Sequence, residues 1–80
     1  MRIDKFLKNA RLIKRRAVAK EACDGGWVLI NGKVAKAGSE VKVGDVIQIT
    51  FGIREISVKV LELRESSRKD TAEEMYQVLD

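Results

Sequence analysis

The run Gly25-Gly26-Trp27-Val28-Leu29-Ile30-Asn31-Gly32-Lys33-Val34-Ala35 divides the chain into a helical front and a stranded back. Two adjacent glycines stop a preceding helix, because glycine alone reaches the left-handed backbone of a helix end without penalty. Val28-Leu29-Ile30 reads as a strand. Asn31-Gly32 supplies two residues that accept the positive φ of a type I′ turn, so Lys33-Val34-Ala35 returns antiparallel to it.

Downstream the period of two continues. Val43-Gly44-Asp45 marks a turn, Val46-Ile47-Gln48-Ile49-Thr50-Phe51 a strand, Gly52-Ile53-Arg54 a turn, and Glu55 to Leu61 another strand. Upstream the spacing is helical. Phe6, Leu7, Ala10 and Leu12 give one apolar face, and Val18, Ala19, Ala22 and Cys23 give another, on a helix from about Arg16 to Cys23. The pattern predicts an α+β fold with two N-terminal helices packed on a small, twisted, mostly antiparallel sheet. Arg64 to Asp70 is polar and without apolar period, as expected of a linker. Thr71-Ala72-Glu73-Glu74 has capping-box spacing, and Met75, Tyr76, Val78 and Leu79 form a stripe, which predicts a short C-terminal helix. The expected division is residues 1–63 as the domain and 64–80 as polar linker and terminal helix.

Eighty residues make one domain with a modest core and little room for a deep cleft. No apolar run approaches the ~20 residues of a bilayer span, and no signal-peptide core follows the start, so a cytoplasmic protein is expected. Cys23 is the only cysteine and histidine is absent, which excludes an internal disulfide, a thiolate metal cluster and the usual general base. No phosphate-binding glycine motif and no carboxylate dyad is present. Neither cofactor, nor metal, nor small-molecule substrate is expected, and catalysis is not.

Charge placement points to a polyanion. Between Met1 and Lys20 stand eight cations, Arg2, Lys5, Lys8, Arg11, Lys14, Arg15, Arg16 and Lys20, against Asp4 alone, a balance of +7; the remainder is −3. A solvated helix face is the bland alternative, but nucleic acid is the better account of eight cations against one anion. Arg16 at the start of the second helix joins a guanidinium fork to unsatisfied N–H groups, a cradle for phosphate. Lys5, Lys8 and Arg11 extend that surface along the first helix. Asp4 has two readings: an N-cap, or an acid that holds Arg2 or Arg16 in a contact-ready rotamer. Trp27 also has two, stacking on an unpaired base or, more commonly for a lone tryptophan at a sheet edge, packing over its neighbours. Cys23 reads as a small buried hydrophobe.

Several motifs keep a shared order and spacing: Met1-Arg2-Ile3-Asp4-Lys5-Phe6-Leu7, Arg11-Leu12-Ile13-Lys14-Arg15-Arg16, Ala19, Gly26, Val28, Ile30-Asn31-Gly32 and Gly44-Asp45. On these residues the chain resembles the S4 RNA-binding domain family (the αL motif) from about Met1 to Phe51. Its length and ending resemble the small bacterial stand-alone branch that acts in ribosome-associated quality control, relatives of the ribosome-associated heat-shock proteins. The resemblance implies binding to large-subunit ribosomal RNA and to peptidyl-tRNA trapped there, together with an RqcH-like factor that adds C-terminal alanine tails to stalled chains. It implies that Arg2 and Arg16 are the RNA-contacting arginines, that Asp4 is the acidic position of the opening helix, and that Lys5, Lys14, Arg15 and Lys20 are lesser contacts. A monomer with no membrane association is expected.

Some positions depart from the family pattern. Arg15 stands where many members have Ser, and Ala17 where they have Ser or Thr, so the second helix lacks a hydroxyl cap that a bound phosphate would replace. Trp27 stands in place of a basic or polar residue, and Cys23 in place of an aliphatic one. Three alternatives carry different expectations: a heat-shock factor recycling large subunits that hold nascent chains, an RNA-binding accessory domain of an rRNA-modifying enzyme, and a structural ribosomal protein. The second would require a catalytic domain beyond this chain.

Overall fold

In the computed structural model, which describes residues 1–65 and 71–79, the change from helix to strand falls at the two glycines. Helices α1 (Ile3–Asn9) and α2 (Arg16–Asp24) precede strands β1 (Val28–Ile30), β2 (Lys33–Val34), β3 (Val46–Phe51) and β4 (Arg54–Val60). Helix α2 ends because Gly26 takes φ 83°, with the Gly25, Gly26 and Trp27 amides donating to the carbonyls of Glu21, Cys23 and Ala22. A Cβ at Gly25 would lie 2.5 Å from the Trp27 indole nitrogen, so the ring occupies the space a side chain would need. Trp27 therefore packs on the helix end, while half of it remains exposed.

Asn31 and Gly32 adopt φ 51° and 83°, the expected type I′ turn. The register follows, with Ile30 opposite Lys33 and Leu29 opposite Val34. Asn31 has a second task. Its Oδ1 accepts from the Val46 amide at 2.9 Å and its Nδ2 donates to Asp45 Oδ1 at 3.1 Å, which ties the hairpin to the start of β3. Asn31→Ala loses both bonds and puts an alanine in the left-handed region. We expect a loss of about 1–2 kcal/mol, read as a lower urea midpoint with unchanged slope.

The sheet order is β2-β1-β3-β4-β5, and every pairing is antiparallel. The fifth strand corrects the sequence expectation at the C-terminus. Thr71 offers no side-chain cap, and Ala72–Met75 forms only a 3₁₀ turn before β5 (Tyr76–Leu79) pairs with β4. A helix of under ten residues is marginal alone, whereas β4 presents a free row of backbone donors and acceptors. Tyr-Gln-Val-Leu suits that edge by alternation and by β propensity. Of the expected linker, residues 66–70 lie outside the described residues.

Ile3, Phe6 and Leu7 of α1 and Ala19 and Cys23 of α2 are buried against Val28, Ile47, Ile49, Val58, Val60 and Met75. Val18, expected on the apolar side of α2, is instead 47% exposed. The buried stripe of α2 is narrower than the spacing suggests, with Ala19 and Cys23 buried one turn apart, Ala22 partly buried beside them and Val18 left outside it.

Candidate nucleic-acid interface

Asp4 is the centre of the basic surface. It does not precede α1 but sits at the second helical position, and Arg2 holds the cap position without a side-chain cap bond. The first amides of the helix are satisfied otherwise. Ile3 N–H donates to Ser39 O at 2.8 Å, Asp4 N–H to Ala37 O at 3.3 Å, and Lys5 N–H to Asp4 Oδ1 at 2.8 Å. The N-cap reading of Asp4 is thus corrected, although its carboxylate still serves one amide of that turn. Because a loop supplies backbone carbonyls to the helix start, the other carboxylate oxygen is left for cations.

That oxygen, Oδ2, lies 3.3 Å from Arg2 Nη2 and 3.4 Å from Arg16 Nε. The Asp4 side chain is only 4% exposed, while those of Arg2 and Arg16 are 50% and 48% exposed. One buried anion therefore holds two guanidinium groups at the surface, each with N–H donors still facing outward. Two residues fourteen apart in sequence are brought together by the packing of α1 against α2. The pairing also lowers the entropy each arginine loses when it binds an anion, since the rotamers are already restricted.

The other expected contacts fall into groups. Arg15 is the N-cap of α2, exposed, and no side chain caps this helix. Lys20 is exposed one turn after Arg16, on the same side of α2. Lys5 is paired with Glu65, whose carboxyl is held below its ordinary range first by that hydrogen bond and then by the charge of Lys5. Lys8, Arg11 and Lys14 lie at the far end of α1, where they line a cavity of about 520 Å³ together with Ala72, Glu73 and Tyr76. The basic segment thus forms two groups, one at each end of α1, with Lys5 neutralised between them.

Positioning residues absent from the sequence reading are Glu40, Ser39 and Asn9. Glu40 holds the N-terminal ammonium at 2.9 Å, and residues 2 and 40 form a β-bridge that fixes the Arg2 backbone. Asn9, buried, donates to the carbonyls of Arg64 and Glu65 at 2.9 and 2.8 Å, pinning the chain beyond β4 against α1. Their partners lie far away in sequence, so no local pattern marks them.

The family model "S4 domain" matches residues 1–47. The chain is 51% identical over 79 residues to the RQC P-site tRNA stabilizing factor of Bacillus subtilis (strain 168), covering 99% of this chain and 92% of that one. It is 50% identical over 78 residues to the factor of the same name from Halalkalibacterium halodurans, covering 98% and 89%. Among solved structures, the trimeric structure of Vibrio cholerae heat shock protein 15 superposes with a TM-score of 0.92 at 30% identity, covering 99% of this chain and 81% of that one. The chain belongs to the S4 domain family.

The S4 match takes in both helices, the hairpin and the first residues of β3, and with them Arg2, Asp4 and Arg16. Strand β5 and the 3₁₀ turn lie beyond it. Among the described residues, no group of three or more His, Cys, Asp or Glu residues is placed to hold a metal ion. Cys23 is fully buried, and its thiol is pushed up to about 11, chiefly by burial and then by the charges of Asp4 and Asp24. With the folded value above the unfolded one, the neutral thiol favours the fold at low pH; this contribution fades as pH rises from about 9 toward 11. At pH 8 we expect iodoacetamide to label Cys23 at the global unfolding rate, fast in denaturant and slowly without it. Rapid native labelling would contradict the buried, protonated state.

Proposed function

We propose that this protein is a non-catalytic RNA-binding factor that docks on the large ribosomal subunit, contacts ribosomal RNA and tRNA, and steadies peptidyl-tRNA while a stalled chain receives its C-terminal alanine tail. The observation that carries the reading is the buried Asp4 carboxylate presenting Arg2 and Arg16 together at one surface. Two forks held at fixed separation suit phosphates of folded RNA better than they suit a flexible acidic peptide. The adjacent N-terminus of α2, uncapped by any side chain, adds backbone donors and the positive end of a helix dipole. Lys8, Arg11, Lys14, Arg15 and Lys20 supply the surrounding positive field, and Lys5 joins it where RNA displaces its pairing with Glu65. The name of the half-identical relatives, RQC P-site tRNA stabilizing factor, supports the tRNA assignment.

On this reading the protein acts in the cytoplasm, as a monomer, beside an RqcH-like tailing factor. The test is deletion of the gene followed by probing of stalled nascent chains. Loss of alanine tails, with the wild-type protein enriched on obstructed large subunits, is the expected result. Intact tails in the deletion strain would overturn the tailing role and favour the second reading, recycling of large subunits that hold nascent chains. That alternative has support from the close structural likeness to heat shock protein 15.

A further inference from the structure

The cavity at the far end of α1 is not used by the Asp4-centred pair. Its volume of about 520 Å³ falls within the range of small-ligand sites. One wall is the end of α1 and the turn after it: Lys8, Arg11 and Lys14, with Ala10 and Ile13 as an apolar floor. The facing wall is the 3₁₀ turn and the start of β5, with Ala72, Glu73 and the half-buried ring of Tyr76. Three features distinguish it from a solvated cleft between charged side chains.

First, its chemistry is mixed: three cations line it together with the Tyr76 ring and two carboxylates, Glu73 and Glu65, of which Glu65 is already paired with Lys5. Second, Tyr76 is half-buried, packed against the core cluster while lining the cavity, so its ring is held in place beside the opening. Third, Arg11 has φ 58° at the residue that ends α1, with its amide donating to Lys8 O at 3.0 Å. Glycine is the usual occupant of that left-handed position, and an arginine there is held against a backbone preference. Strain of this kind at a cavity rim points to a side chain that is needed where it stands.

We infer that this cavity receives a single unpaired nucleotide of the bound RNA. The base lies between Tyr76 and the floor of Ala10, Ile13 and Ala72, the phosphates on either side meet Lys8, Arg11 and Lys14, and Glu73 accepts from the base edge. A carboxylate only accepts, so a base presenting adjacent donors is preferred, and guanine is the one that offers two. The inference rests on the RNA-binding reading above and shares with it Lys8, Arg11 and Lys14, but it uses neither Asp4 nor the Arg2–Arg16 pair. One wall of the site, Lys8 to Lys14, falls within the S4 match, which ends at residue 47, and the facing wall, Ala72 to Tyr76, lies beyond it. The second wall exists only because β5 joins the sheet.

The test is amide chemical-shift mapping of the isotope-labelled full chain titrated separately with guanosine monophosphate, uridine monophosphate and inorganic phosphate. Guanosine monophosphate is expected to shift amides within residues 10–14 and 72–76, to saturate in the millimolar range and to bind several-fold more tightly than uridine monophosphate. Tyr76→Leu, with a dispersed spectrum, should weaken that binding at least five-fold. Arg11→Gly should weaken it too while melting at or above the wild-type temperature, a combination that a purely structural role for Arg11 does not give. Equal shifts from inorganic phosphate, or unchanged binding in both variants, would overturn the inference. Subunit binding by these variants keeps the two proposals apart. If the cavity fails while Arg16→Ala still weakens subunit binding, only the cavity assignment is lost.

Discussion

Arg16→Ala is expected to weaken binding to the large ribosomal subunit by about 1–3 kcal/mol, or roughly 5- to 150-fold, with little change in thermal stability. The split follows from the geometry. Arg16 is about half exposed, so its removal opens no cavity, and its contact with Asp4 Oδ2 at 3.4 Å is one of three made by that carboxylate. A partly exposed ion pair contributes little to folding. The fork it presents to a phosphate, by contrast, loses two or more donors at once. Arg16→Lys should recover only part of the loss, because an ammonium keeps the charge but not the paired geometry. Arg2→Ala should act in the same direction.

Asp4→Asn separates positioning from contact. Asparagine keeps an acceptor for the Lys5 amide but removes the charge that holds both arginines, so affinity should fall although every cation remains. The slope of log affinity against log salt tells the two classes apart. Arg16→Ala should reduce it by about one phosphate contact, near 0.7–0.9, whereas Asp4→Asn should leave it unchanged or steeper. In a double-mutant cycle, Arg2→Ala and Arg16→Ala should be non-additive through their shared carboxylate. Additive losses, with a normal affinity for Asp4→Asn, would contradict the shared-carboxylate geometry.

Much of this arrangement was legible in the residues themselves. The glycine pair, the Asn31-Gly32 turn and the alternation of Val46 to Val60 are local signals, and each appears in the structure at its expected place. The arginine pair was half legible: the sequence left Asp4 between capping and charge pairing, and only the packing of α1 on α2 decides it. Two other features depend on distant partners. The amides at the start of α1 are satisfied by carbonyls from residues 37 and 39, so the helix begins two residues earlier than a cap at Asp4 requires. The C-terminal segment carries a pattern compatible with either helix or strand at that length. Its state is set by the open edge of β4, which no local spacing reports.

That edge makes Met75 the position where the largest stability loss is expected. Met75 is fully buried in the core cluster, and its carbonyl accepts from the amides of Leu61 and Glu62 at 2.8 and 3.2 Å. It thus anchors the last strand both by packing and by backbone bonding. Met75→Ala removes the packing alone and should cost about 2–5 kcal/mol. The whole fold, at 80 residues, is expected to be stable by only about 4–12 kcal/mol. The urea midpoint should therefore fall by at least about a sixth, and by half or more if the total lies toward the low end. Deleting the 3₁₀ turn and β5 together should do worse, since the edge of β4 is then unpaired and the flank of the core beside Val58 and Val60 is uncovered; concentration-dependent aggregation is the expected outcome. Affinity for the large subunit, measured at a temperature where Met75→Ala remains folded, should be near wild type, because Arg2, Asp4 and Arg16 are held by α1, α2 and the loop at residues 37–41. A variant that stayed as stable as the parent would mean that β5 is an accessory to the sheet and not part of what holds it together.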